Sequence, residues 1–319
     1  LEALVLERTR DAAPAVAVLA IADNANLVGT TDSLRAAFRV LTGAEGAAGI
    51  GLRVQQRKCA ITAGPLHAVA QLAAELGVQH RPEGVVVCGT PIGTDAFVLD
   101  ALSQRADAVI AQVDKLMRLP ATKQAQFILL RSSLSLRMAH LLRTVPWELL
   151  GPSTRRVEHA ITQAAAALFQ LPTRGGGAGG RTAEQLALPL RHAGFGLRVV
   201  TPVEADAAHV AGASKAQAAM KEGLESCKPF EGALRPVLLA TWLRVFDAVA
   251  ADCEWEPSGR DLPAEFVREV LPLAQRLVSR VIGDRAGADF LAACDVDTTE
   301  GRRDAARIRS AGNGPASAW

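Results

Sequence analysis

The residues best suited to chemistry stand in the run Ala15 to Gly29, AVAVLAIADNANLVG. Two short apolar segments flank Asp23 and Asn24, which reads as a hairpin with a tight turn. A carboxylate on such a turn projects from rigid backbone and can hold a divalent cation. Phosphoryl transfer by two metals needs carboxylates that clamp two Mg²⁺ ions about 3.5–4 Å apart. Each Mg²⁺ takes one or two protein carboxylates and fills its other positions with water and phosphate. Asp23 is the anionic ligand in this run, and Asn24 is a neutral oxygen donor. The plainer reading is an Asx turn, in which both side chains cap their own backbone.

Other chemistries find little footing. The five cysteines (Cys59, Cys88, Cys227, Cys253, Cys294) are far apart and form no Cys-x-x-Cys pair, which argues against a disulfide framework and a zinc site. The six histidines share no ligand spacing with each other or with the cysteines, and no Ser-His-Asp order suggests a nucleophilic hydrolase. The glycine-rich run Arg174 to Arg181 lacks the Gly-Lys-Ser/Thr ending of a phosphate-binding loop, so it reads as a flexible linker. The apolar runs are too short or too interrupted to span a membrane.

The elements that would position these residues follow from periodicity and breakers. Thr30 and Thr31 offer N-caps for a helix from about Asp32 to Ala44. Gly51 to Ile61, GLRVQQRKCAI, reads as a strand carrying Lys58, and Gly64-Pro65 opens a helix to about Leu76. Gly84 to Gly93, GVVVCGTPIG, reads as a strand with a tight exit turn. After Thr94 the pattern is almost wholly helical, with helices expected at 95–119, 121–144 and 154–170, then resuming near Thr182, Val203, Leu234, Pro263 and Ala286. Half the residues are hydrophobic, carried by Ala, Leu and Val with 4% aromatics and no Tyr, a composition that favours helices.

Charge divides unevenly. Residues 1–200 hold 21 basic and 15 acidic side chains, +6; residues 201–319 hold 14 and 18, −4. Between Leu119 and Val157 six basic residues (Lys123, Arg131, Arg137, Arg143, Arg155, Arg156) face one acid, Glu148. On a regular helix Lys123, Arg131 and Arg137 fall within an arc of roughly 120°. Such a stripe can track a phosphate backbone; it is equally what a solvated helix face looks like.

In order along the chain, these segments resemble the palm and thumb of reverse transcriptases of the non-LTR retrotransposon (LINE) type. IADN (Ile21 to Asn24) falls where that family has its Tyr-x-Asp-Asp box, followed by a Leu-Val-Gly stretch. GLRVQQRKC resembles its Gly-Leu to Lys-Cys segment. VCGTPIGTDAFV resembles the primer-gripping turn, with Gly89, Pro91 and Gly93 at the matching positions. RTVPW (Arg143 to Trp147) is similar to a thumb segment, LPLRHAGFGLR (Leu188 to Arg198) to a Leu-Pro…Gly-x-Gly-Leu segment, and RIRSAGNGPASAW (Arg307 to Trp319) to a stretch before the family's Cys/His region.

The resemblance implies an α+β fold: the last part of a polymerase palm, an antiparallel hairpin plus helices, over 1–93. A helical thumb over 94–173, a linker at 174–181 and a helical extension over 182–319 follow. It implies RNA-directed DNA synthesis with Mg²⁺ and deoxynucleotides on RNA or an RNA–DNA hybrid, in the nucleus or cytoplasm. Asp23 would be the metal ligand with Asn24 beside it, and Lys58 would lie near the nucleotide phosphates as a general acid. The family departs from this chain in two places. Ile21 and Asn24 replace an aromatic residue and the second Asp, and the first catalytic Asp would lie upstream of Leu1. The chain is therefore expected to be a piece of a longer reading frame, inactive alone unless a separately encoded N-terminal half supplies the missing carboxylate. The function expected of it alone is binding RNA or a hybrid; the alternative is a non-catalytic helical scaffold for protein contacts.

Overall fold

The computed structural model describes residues 17–21, 24–43, 53–62, 67–171, 184–223, 228–294, 297–299, 301–303, 305–306 and 309. Its architecture is mostly helical α+β, with three separate two-stranded sheets. The chain divides into two compact units, residues 1–101 with 217–234, and residues 102–216 with 235–319.

In the first unit, strands β1 (Ala17–Ile21) and β2 (Asn24–Val28) pair antiparallel, with Ile21 opposite Asn24. Helix α1 (Thr31–Thr42) follows, and Thr30 accepts a hydrogen bond from the Ser33 amide at 3.3 Å, capping its start. Ala37 and Leu41 form its buried stripe. Helix α2 (His67–Leu76) packs on α1, and Arg35 and Arg39 both reach Glu75 across that contact. Strands β3 (Ala60–Ile61) and β4 (Gln79–His80) pair parallel beside α2.

The expected strand over 51–61 is largely absent from the described part: residues 53–55 are irregular and Gln56–Lys58 form a 3₁₀ turn. Two residues are all that pair, because exposed Gln55, Gln56 and Arg57 offer no apolar face to bury. Lys58 therefore sits on a turn and not in a strand.

The run 84–93, expected as a strand with a tight exit turn, is a hairpin. Strands β5 (Gly84–Val87) and β6 (Thr90–Gly93) pair antiparallel around Cys88 and Gly89, whose φ angles of 50° and 80° give the left-handed turn that a two-residue loop requires. Gly84 lies opposite Gly93, and a Cβ on Gly93 would stand 2.1 Å from the Glu83 carbonyl oxygen. Only glycine fits there.

Helix α3 (Asp95–Met117) carries the chain out of the hairpin. The expected helix over 121–144 is broken in the second unit. Helix α4 (Lys123–Leu129) runs into a π-helical turn at Leu130–Leu134, then through turns to a 3₁₀ turn at Leu141–Arg143. Ser132 donates to the Ile128 carbonyl at 2.6 Å and Ser135 donates to that of Arg131, side-chain bonds that bend helices. Buried Gln126 ties α4 to the end of α3: its amide donates to the carbonyls of Leu116 and Leu119 at 3.2 and 3.1 Å, satisfying carbonyls that the helix end leaves open.

Helix α5 (Trp147–Phe169) begins seven residues before its expected start at 154 and holds Pro152 inside. Burial outweighs the lost backbone bond, since Leu150 and Gly151 are buried and a Cβ on Gly151 would stand 2.9 Å from the Trp147 ring. Helix α6 (Pro202–Gly223) opens on a capping box: Glu204 accepts from the Thr201 amide at 3.0 Å while Thr201 accepts from the Glu204 amide at 3.3 Å. Helices α7 (Lys228–Val249), α8 (Ala264–Glu269) and α9 (Ala274–Ala292) complete the order. The expected start near Ala286 falls in the middle of α9.

The second unit's core gathers Trp242, Phe246, Val249, Leu271 and Val278. The Trp242 indole donates to the Gly259 carbonyl at 2.8 Å, so its one polar atom is satisfied in the interior.

Candidate functional site

Asp23 lies outside the described residues, as does the expected linker at 174–181. Asn24 opens β2 directly across from Ile21. The 3₁₀ turn ending at Lys58 connects to this hairpin through a chain of packed elements: β2 on α1, α1 on α2, α2 on β3. Lys58 itself is exposed. Gly89, Pro91 and Gly93 stand together on the β5–β6 hairpin, Gly89 at its turn and Pro91 buried opposite Val86. Among the described residues no three His, Cys, Asp or Glu side chains gather as a metal site.

In the second unit the segment from Lys115 to Trp147 carries six cations and no acid. Lys123 is exposed in the first turn of α4 and Arg137 is exposed beyond the π turn. Arg131 is half-buried, its stem running along Gly196, on which a Cβ would lie 3.6 Å from the arginine Cδ. Regular helical phase between Lys123 and Arg137 is lost at the π turn, which correspondingly revises the arc expected for a straight helix. None of these three makes an ion pair with a described residue. Arg143, by contrast, donates to Gln275 at 3.2 Å, Arg156 pairs with Asp107, and Arg155 lies 5.6 Å over the Trp147 ring. The available cations of the segment are Lys115, Arg118, Lys123, Arg131 and Arg137.

Beside this segment lies a small cleft that sequence reasoning missed. It is walled by Met138, Leu142, Val157, Ile161 and Val200, with Ser135, Thr154, Glu158 and Arg198 as its polar and charged members. The space is about 20 Å³, room for roughly one water. The Thr154 hydroxyl is sealed from solvent without a protein partner. One oxygen of Glu158 accepts the Val200 amide at 2.6 Å, fastening the irregular run 195–200 to α5. Burial pushes the Glu158 carboxyl up to about 7, aided by Glu204 and opposed by the Val200 amide, Arg155 and Arg198. One signal was present in the sequence: Glu158 shares a helical face with Thr154, Ile161 and Ala165, an acid on an otherwise core-forming stripe.

The same run is secured on either side. Phe195 meets Phe127 and Phe169 with ring centroids 5.8 and 5.1 Å apart. Upstream, Asp284 on α9 accepts from Arg191 Nε at 2.9 Å and lies 2.7 Å from His192 Nε2. In LPLRHAGFGLR, then, the Arg and His hold the segment onto a helix.

No family model matches the chain, and neither a curated protein nor a solved structure is similar to it. Among the described residues, no helix is long and apolar enough to cross a membrane.

Proposed function

We propose that this chain is related to the reverse transcriptases of non-LTR retrotransposons and that its own activity is binding RNA or an RNA–DNA hybrid through residues Lys115 to Trp147. One observation carries the reading: six cations and no acid in that segment, with Lys123, Arg131 and Arg137 free of ion pairs to described residues. Cations held out of internal pairs are what a polyanion needs, because each one neutralised by phosphate releases a condensed counterion. The ordered resemblance of the flanking segments supplies the rest: a palm hairpin at Asp23 and Asn24, Lys58 near the nucleotide phosphates, and a primer-gripping turn at Gly89, Pro91 and Gly93. Mg²⁺ and deoxynucleotides belong to this reading only if further carboxylates join Asp23, since one carboxylate cannot clamp two ions. The setting would be the nucleus or cytoplasm.

The test is the salt dependence of binding, followed by fluorescence anisotropy with a labelled RNA and with an RNA–DNA hybrid. The expected log–log slope is about −0.7 to −0.9 per phosphate contacted, reduced by roughly one unit for each of Lys123→Ala and Arg137→Ala. Binding absent at low salt, or a slope untouched by both substitutions, overturns the reading.

A scaffold for protein contacts is the second reading. A specific observation favours it: aliphatic side chains lie exposed among the same cations.

A further inference from the structure

Ile128, Leu129 and Leu136 are 45%, 44% and 46% exposed, the first two at the end of α4 and the third in the turns beyond the π turn. Gln124, Ile128, Ser132, Leu136 and His140 are exposed while Gln126, Leu130, Leu134, Met138 and Leu142 are buried, so Ile128 and Leu136 fall in one solvent-facing row, with Leu129 next to Ile128. Lys123 stands at one end of the row and Arg137 at the other, both without ion pairs to described residues. Phosphates would use the two cations and leave the three aliphatic groups in water. A scattered exposed leucine needs no explanation, but a row of them framed by free cations marks a contact surface.

From this we infer that the face Lys123–Arg137 docks an acidic amphipathic helix of a partner protein. The partner's apolar stripe would cover Ile128, Leu129 and Leu136, and its carboxylates would meet Lys123 and Arg137. Charge complementarity selects this occupant: a second copy of the chain would bring the same cations to the contact, and like charges across an interface repel. The partner's own anchors would recur at i, i+3, i+4 and i+7, the spacing by which an amphipathic helix presents one apolar face. This inference does not rest on nucleic-acid binding: it shares Lys123 and Arg137 with that reading but adds the aliphatic side chains, which phosphates would not use.

The probe is a fluorescein-labelled helical peptide of about 20 residues, with leucines at i, i+3, i+4 and i+7 and glutamate at most other positions. Its control has the same composition with the leucines scattered. Anisotropy with the full chain should show the patterned peptide binding and the scattered one binding at least roughly tenfold more weakly. Ile128→Ser with Leu136→Ser should weaken the patterned peptide by a similar factor while leaving RNA affinity unchanged. Lys123→Glu with Arg137→Glu should abolish both. Both pairs of substitutions are on the surface, and circular dichroism verifies that the variants remain folded.

Three outcomes overturn the inference: equal binding of the two peptides, peptide affinity indifferent to the serine pair, or RNA affinity lost with the serine pair. A concentration-dependent dimer in light scattering, dispersed by the serine pair in a chain that ignores the peptide, would assign the face to a second copy and also overturn it.

Discussion

Replacing Glu158 with glutamine should remove a pH dependence of stability that the wild-type chain carries between about pH 4.5 and pH 7. In the folded protein this carboxyl keeps its proton up to about 7, against an ordinary value of 4.5, chiefly because burial penalises the charge. Between those values the folded state binds more protons than the unfolded state, so raising the pH costs stability. The contribution is fully present below about 4.5 and is lost as the pH rises through about 7. At about 1.36 kcal/mol per pH unit the shift has a ceiling of ~3 kcal/mol, and because solvent reaches part of the carboxyl a loss of ~1–2 kcal/mol is expected. Glu158→Gln cannot ionise, yet its side-chain carbonyl can still accept the Val200 amide. Urea denaturation of both proteins at about pH 4.5, 6 and 8 isolates the effect, since other titrating groups cancel in the difference. The variant should gain on the wild type by ~1–2 kcal/mol across that range. A difference that does not change with pH would refute the reasoning. A difference of opposite sign would mean that the Val200 amide, Arg155 and Arg198 outweigh burial.

Two structural predictions follow, beside the salt-dependence and peptide experiments. Gly93→Ala places a Cβ against the Glu83 carbonyl oxygen and the Gly84 backbone, so it should cost at least ~2 kcal/mol locally. Amide hydrogen exchange across β5 and β6 should accelerate, and unchanged protection there would contradict the close approach. Arg244 donates to both oxygens of Asp206 at 2.7 and 3.0 Å, and Asp206 is only 7% exposed. Arg244→Met strands that carboxylate and should cost ~2 kcal/mol or more after allowance for the exposed arginine. Adding Asp206→Asn should recover part of the loss in a denaturation cycle.

Local signals read correctly where the deciding contacts are close in sequence. Thr30 caps α1 through an amide three residues on, and the run Asp95 to Met117 is helical with its buried residues on one stripe. The segment from Lys123 to Thr144 shows the limit. Its composition reads as one helix, but Gln126 finds the carbonyls ending α3, and two serines bond back to the preceding turn. A basic stripe drawn at regular helical phase therefore needed the structure to be redrawn. Lys58 shows the same limit in a strand, since β pairing depends on a partner and an apolar face that its neighbours do not provide.

The opening chemistry divides along the same line. The sequence by itself determined which side chains are there to act: Asp23 and Asn24 between two apolar segments, Lys58 after them, and a cation-rich run with no acid from Lys115 to Trp147. Composition and order are one-dimensional properties, and no fold is needed to read them. Only the tertiary structure decided which of those charges are free and which are spent. Arg143 and Arg156 are engaged by residues more than 40 positions away, whereas Lys123, Arg131 and Arg137 are not ion-paired to any described residue. It also made Glu158 a group that titrates near neutrality, by burying its carboxyl. Burial and pairing are set by what the chain brings from afar, and the residue types alone do not carry that information.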